Sequence, residues 1–146
     1  MSELPPLLRD QRKVDADHLK LLAIFHFVGA GLALLAMLFL SLHYAIMHTV
    51  MTNPKMWENQ KNGPPPEFFA MFKWFYLIFG VWLVGSFILN LISGFCLRAR
   101  KCRTFSLVVA GINCLHVPLG TMLGIFTIIV LIRDSVRELY EVDLGP

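Results

Sequence analysis

Apolar positions in this chain gather into long unbroken runs. The first extends from about His18 to Met47, the second from Glu67 to about Leu97, and the third from Thr104 to Ile132. A helix of roughly 20 apolar residues spans the hydrocarbon core of a bilayer. All three runs reach that length, so the pattern predicts an all-α integral membrane protein. Residues 1–146 form a single membrane domain. Polar segments separate the runs: an N-terminal arm over 1–17, a loop over 48–66 and a tail over 133–146.

The third run decides the topology. Its middle holds His116-Val117-Pro118-Leu119-Gly120-Thr121, a turn-forming stretch in which Thr121 can cap a new helix. The favoured arrangement is a four-helix bundle whose short helices 3 and 4 join at a turn near Pro118. The alternative has three spans with a kinked third helix. Length is the difficulty for the first arrangement. Each arm holds about 14 apolar residues, roughly 21 Å of helix, which falls short of a full crossing.

Within the first run, His26, Gly29, Ala30, Ala33 and Ala36 recur at spacings of three and four, while Leu32, Leu35 and Phe39 lie opposite. A small-residue stripe lets a neighbouring helix approach closely, and the bulky side faces lipid. Pro5-Pro6 argues against a long helix in the arm, and Asp15 or Asp17 is placed to cap the helix that follows. Pro54, Gly63 and Pro64-Pro65-Pro66 rule out regular structure over most of the loop. Phe68, Phe69, Phe72, Trp74, Phe75 and Tyr76 open the second run as an interfacial aromatic belt. Ile132, Val136, Leu139 and Tyr140 continue a stripe into the tail. They predict an amphipathic extension at the inner interface, lying on headgroups or docking a partner.

Composition sharpens this. The chain is 56% hydrophobic and 16% charged, against about 25% charged in soluble domains. Arg9, Arg12, Lys13 and Lys20 flank the first run, and Arg98, Arg100, Lys101 and Arg103 precede the third, whereas the loop has only Lys55 and Lys61. The positive-inside rule puts both termini in the cytoplasm and the loop outside. The net charge of +3 sits beside apolar runs, which points to lipid headgroups and not to nucleic acid. Cys96, Cys102 and Cys114 have no paired metal spacing. They read as reduced thiols serving as small apolar groups, with Cys102, among basic residues, the one open to lipidation or reaction.

Polar residues inside the runs are the candidates for chemistry. Asn90 and Asn113 stand at similar distances before and after the basic cluster, so an antiparallel pair of helices would let them bond side chain to side chain. His26, on the small-residue face, would satisfy a neighbouring helix. Gly111, Gly120 and Gly124 offer further close-packing positions. His43 and His116 are the better pair for a bis-histidine haem. No acidic residue lies inside a run, and there is no metal-ligand spacing, nucleophile elbow or P-loop.

The leading expectation is therefore a non-enzymatic accessory or assembly subunit without a cofactor. It would pack against a larger membrane complex or another copy of itself. A haem-binding electron carrier and a small oligomeric channel or transporter are the alternatives. His18–Leu35 (HLKLLAIFHFVGAGLALL) and Val108–Tyr140, above all its PLGTMLGIFTIIVL core, resemble a widespread group of small bacterial inner-membrane proteins with four predicted spans. The resemblance implies that setting and brings no activity with it. In that group a proline often follows the last arginine. Asp134 stands there in this chain, which predicts a helix running on unbroken.

Overall fold

The computed structural model describes residues 6–57 and 65–142. Among them the chain is helical, without strands, in the order α1 (Pro6–Thr52), α2 (Pro54–Trp57), α3 (Pro66–Arg98), α4 (Arg103–Asn113), α5 (Leu119–Ile132) and α6 (Asp134–Val142). Gly63, Pro64 and Asp143 lie outside the described residues. Two helices, within Gln11–Thr52 and Glu67–Arg98, are long and apolar enough to cross a membrane; α5 and α6 together make a third candidate, bent by 77°. Two or three helices able to span a bilayer are consistent with a multi-pass membrane protein.

Helix boundaries depart from expectation at both ends of α1. Pro6 is its first residue. Proline is tolerated there because the first helical N–H groups have no intrahelical acceptor to lose. At the other end, α1 runs through His48 to Thr52, and α2 follows after Asn53. The part of the 48–66 loop that is described is therefore largely helical. With 47 residues, α1 is about 70 Å long, more than twice the ~30 Å hydrocarbon thickness.

The chain divides into two compact units, residues 1–30 with 88–146, and residues 31–87. In the first unit, α4 and α5 form a tight antiparallel hairpin. Arg103 Nε donates to the Leu131 carbonyl at 2.9 Å at one end. At the other, Thr121 Oγ1 donates to the Cys114 carbonyl at 2.9 Å. The chain thus turns back near Pro118 and does not run on as one kinked helix. Thr121 closes the turn from inside α5 and does not cap it; Pro118 occupies the cap position. A Cβ built on Gly124 would meet the Ala110 carbonyl oxygen and, at 2.6 Å, Cys114 Sγ. Only glycine lets the two backbones come this close.

The hairpin packs on the start of α1 and the end of α3. Leu19, Leu22, Ala23, Leu97, Val130, Leu131, Val136 and Tyr140 form the buried core, with Phe27, Leu107, Leu123 and Leu139 around it. Val136 is fully buried and Tyr140 only 5% exposed. These residues, expected to lie on headgroups or to dock a partner, are used inside the chain. The helix does not run on past Arg133 either. Arg133 adopts an extended ψ of 135°, and the bend there swings α6 back over the core.

The second unit holds the later part of α1 and the earlier part of α3. Leu32, Leu35 and Phe39 are exposed. Ala33 is half-buried and Ala36 is exposed.

Candidate functional site: a buried polar core in the first unit

Two polar clusters lie inside the first unit. One is built on apolar helix faces. His26 follows Leu19, Leu22 and Ala23 on the buried stripe of α1 and is itself fully buried. Its Nδ1 lies 3.0 Å from Asn90 Oδ1 on α3, and its Nε2 lies 3.3 Å from Thr127 Oγ1 on α5. Asn90 and Asn113 exchange bonds: Asn90 Nδ2 donates to Asn113 Oδ1 at 3.1 Å, and Asn113 Nδ2 donates to Asn90 Oδ1 at 2.8 Å. Four helices thereby share one network.

Partner chemistry assigns the protons. Asn90 Oδ1 is an acceptor, so a neutral His26 carries its hydrogen on Nδ1. Nε2 then accepts from the Thr127 hydroxyl. That hydroxyl also reaches the Leu123 carbonyl at 2.7 Å, so its single hydrogen is shared between the two. Asn90 Oδ1 receives both His26 and Asn113, one on each lone pair. Groups this deep have no water to bond, so a closed set of partners is what keeps them inside a bilayer. Gly29 belongs to the same site: a Cβ built there would rest at 3.6 Å from Asn90 Oδ1.

The second cluster holds the bend. Asp15, on α1, is only 1% exposed. Arg133 Nη1 donates to its Oδ1 at 3.1 Å, and Ser135 Oγ donates to its Oδ2 at 2.5 Å. His18 Nδ1 stands 4.0 Å away. Asp15 is thus not the cap of α1 but the anchor for the α5–α6 corner. Arg12 and Glu138 pair nearby at 2.8 Å, partly exposed.

Other expected residues fall elsewhere. Ala30 is buried at 2% exposure in the α1 stripe. A Cβ on Gly120 would meet the Asn113 carbonyl at 2.6 Å and His116 Cβ, so it packs as expected. Gly111 does not: it is exposed, and nothing lies within 4 Å of a Cβ there. The face of α4 that packs carries Ser106, Val109, Ala110 and Asn113 instead. His43 belongs to the second unit, where its Nδ1 bonds the Tyr76 hydroxyl. Its ring also stacks on Phe39 at 6.2 Å. His116 belongs to the first unit, where its backbone closes the turn through Asn113 and Thr121. The two imidazoles sit in different units with different neighbours.

Sequence reasoning missed Thr127, Arg133, Ser135 and the anchoring role of Asp15. A lone threonine in an apolar run carries no signal of its own. Asp15, however, lies eleven residues before His26 and so returns to the same helix face. No protein-family model, curated protein or solved structure matches this chain.

Proposed function

We propose that this chain is a non-enzymatic helical subunit that packs against other membrane helices as an accessory or assembly component. One observation carries the reading. In an apolar 18-residue stretch of α3 only 6% of the residues are buried within the chain, while Asn90, further along the same helix, is engaged inside. The molecule turns its hydrogen-bonding capacity inward and offers long apolar helix faces outward. Such faces suit lipid and neighbouring helices. Small-residue contacts and polar locks stabilise the first unit, leaving α1 and α3 as preformed rods for association.

In the proposed setting, a bacterial inner membrane, the basic residues around Arg12 and Arg100 stay on the cytoplasmic side. The α4–α5 hairpin enters from that side and returns to it as short third and fourth helices. α6 lies along the inner interface and both termini are cytoplasmic.

The test is extraction into lipid nanodiscs without harsh detergent, followed by native mass measurement. A particle containing a second membrane protein or further copies of this chain is expected. A lone monomer at native expression level refutes the proposal.

A further inference from the structure

The turn between α3 and α4 carries three cations that packing does not explain. Arg98 closes α3, and Arg100 and Lys101 follow it. The backbone forms a tight helix-ending turn. The Lys101 N–H donates to the Cys96 carbonyl at 2.9 Å, the Arg100 N–H to the Leu97 carbonyl at 3.3 Å and the Ala99 N–H to the Phe95 carbonyl at 2.9 Å. This turn puts Arg100 in left-handed backbone, with φ of 51°. Glycine is the usual residue there, because a Cβ is disfavoured in that conformation. Arginine holds the position at a conformational cost, which points to a use for its side chain.

That use does not lie inside the chain. The last carbonyls of α3 already accept from backbone N–H groups, so no side chain is needed to cap them. The side chains of Arg98, Arg100 and Lys101 enter no hydrogen bond or ion pair among the described residues. Three acids of the same unit have other partners: Asp15 holds Arg133, Asp17 holds Lys20 and Glu138 holds Arg12. Arg103 differs from its neighbours, since its Nε is committed to the Leu131 carbonyl. Arg98 and Lys101 are exposed, and Arg100 is half-buried.

Depth selects the counter-ion. The apolar span of α3 ends at Arg98, where a bilayer would present its phosphate groups. Phe95 stands three residues before Arg98 on the same side of the helix, and Ile92 three residues before that; both are exposed. Acyl chains suit these apolar side chains. Guanidinium groups meet a phosphate with paired N–H donors.

We propose that the α3–α4 turn binds the headgroup phosphate of an anionic glycerophospholipid. Arg98, Arg100 and Lys101 supply the counter-charge, and Ile92 and Phe95 lie against the acyl chains. The site selects lipid by net charge, because a zwitterionic lipid carries its own cation beside the phosphate. The inference rests on the membrane setting proposed above and not on the accessory role. A lipid held this way would fix the end of α3 at the level of the headgroups.

The experiment places the full-length protein in nanodiscs with equal amounts of phosphatidylglycerol and phosphatidylcholine. Native mass spectrometry then counts the lipids that stay on the protein. Phosphatidylglycerol is expected to be retained about tenfold over phosphatidylcholine, and Arg98→Gln or Lys101→Gln should lower that ratio about fivefold. Replacing all three cations with glutamine should bring it to parity. Lys13→Gln, which removes an exposed cation from α1, should leave it unchanged. Arg100→Gly separates the site from the fold. It relieves the left-handed backbone, so thermal stability in neutral nanodiscs should hold or rise while the ratio falls. The proposal is overturned by parity in the parent, by a preference that survives the triple variant, or by an equal effect of Lys13→Gln. Displacement of the lipid by equimolar inorganic phosphate would assign the cations to a free anion and overturns it as well. Parity in a protein that enters neutral and mixed bilayers alike refutes this site alone, whereas failure to enter either refutes the membrane setting beneath it.

Discussion

Replacing Asn90 with leucine tests whether the buried network locks the helices together. Three side-chain bonds tie Asn90 to the network: it accepts from His26 and exchanges two with Asn113. Leucine keeps the bulk and removes all three. His26 Nδ1–H and both polar ends of Asn113 then lose these partners. Hydrogen bonds between membrane helices average about 0.6 kcal/mol, so about 2 kcal/mol is the expected loss. The loss rises toward about 5 kcal/mol if the orphaned groups find nothing else. Asn113→Leu removes only the two reciprocal bonds and should cost about 1 kcal/mol. The double variant decides the matter, because it cannot lose the shared bonds twice. A coupling of about 1 kcal/mol is expected, well above the ~0.5 kcal/mol scatter of independent sites. Reversible unfolding in mixed micelles of mild detergent and dodecyl sulfate, followed by tryptophan fluorescence, measures all four corners. Strict additivity, or an Asn90→Leu variant as stable as the parent, would refute the network as a lock.

Further outcomes follow from the same geometry. Gly124→Leu should push α4 from α5 and cost about 1–3 kcal/mol or more by thermal denaturation in detergent, whereas Gly111→Leu, with open space before it, should be near neutral. Asp15→Ala leaves Arg133 and Ser135 without their acceptor; a loss of about 1–3 kcal/mol is expected, with faster amide exchange in α6 than elsewhere. Burial pushes the Tyr140 phenol up to about 12 from an ordinary value of 10. Its neutral form is thus favoured by folding. That stability is full below the unfolded value and declines as pH rises toward the folded one. Phenolate difference absorbance should show one late-titrating group that Tyr140→Phe abolishes. A reporter fused after Pro146 should be active in the cytoplasm, and periplasmic activity would reverse the proposed orientation.

Much of the site is legible in the sequence. Asn90 and Asn113 could be paired because a turn between them, flanked by arginines, forces antiparallel helices and equal depths. His26 could be assigned to a helix contact because it shares a face with Gly29 and Ala30. Gly111 was misplaced because glycine leaves no mark of which helix face it occupies. The tail was misread for a related reason. An amphipathic stripe says that Val136 and Tyr140 seek an apolar surface, but not whether that surface is lipid, a partner or the chain itself.

Local chemistry written along the chain determined the long apolar helices, the helical class and the turn near Pro118. Long apolar runs can satisfy their backbone in hydrocarbon only as helices, and the stretch around Pro118 interrupts the third of them. Tertiary structure alone decided that Asp15 anchors a corner, that Thr127 completes the His26 network and that α6 folds inward. Each of these depends on partners distant in sequence, and a single residue's type does not encode which distant group it will meet. The bend at Arg133 joins the two levels. Its backbone is free to extend there, and the carboxylate of Asp15, 118 residues away, makes that extension worth adopting.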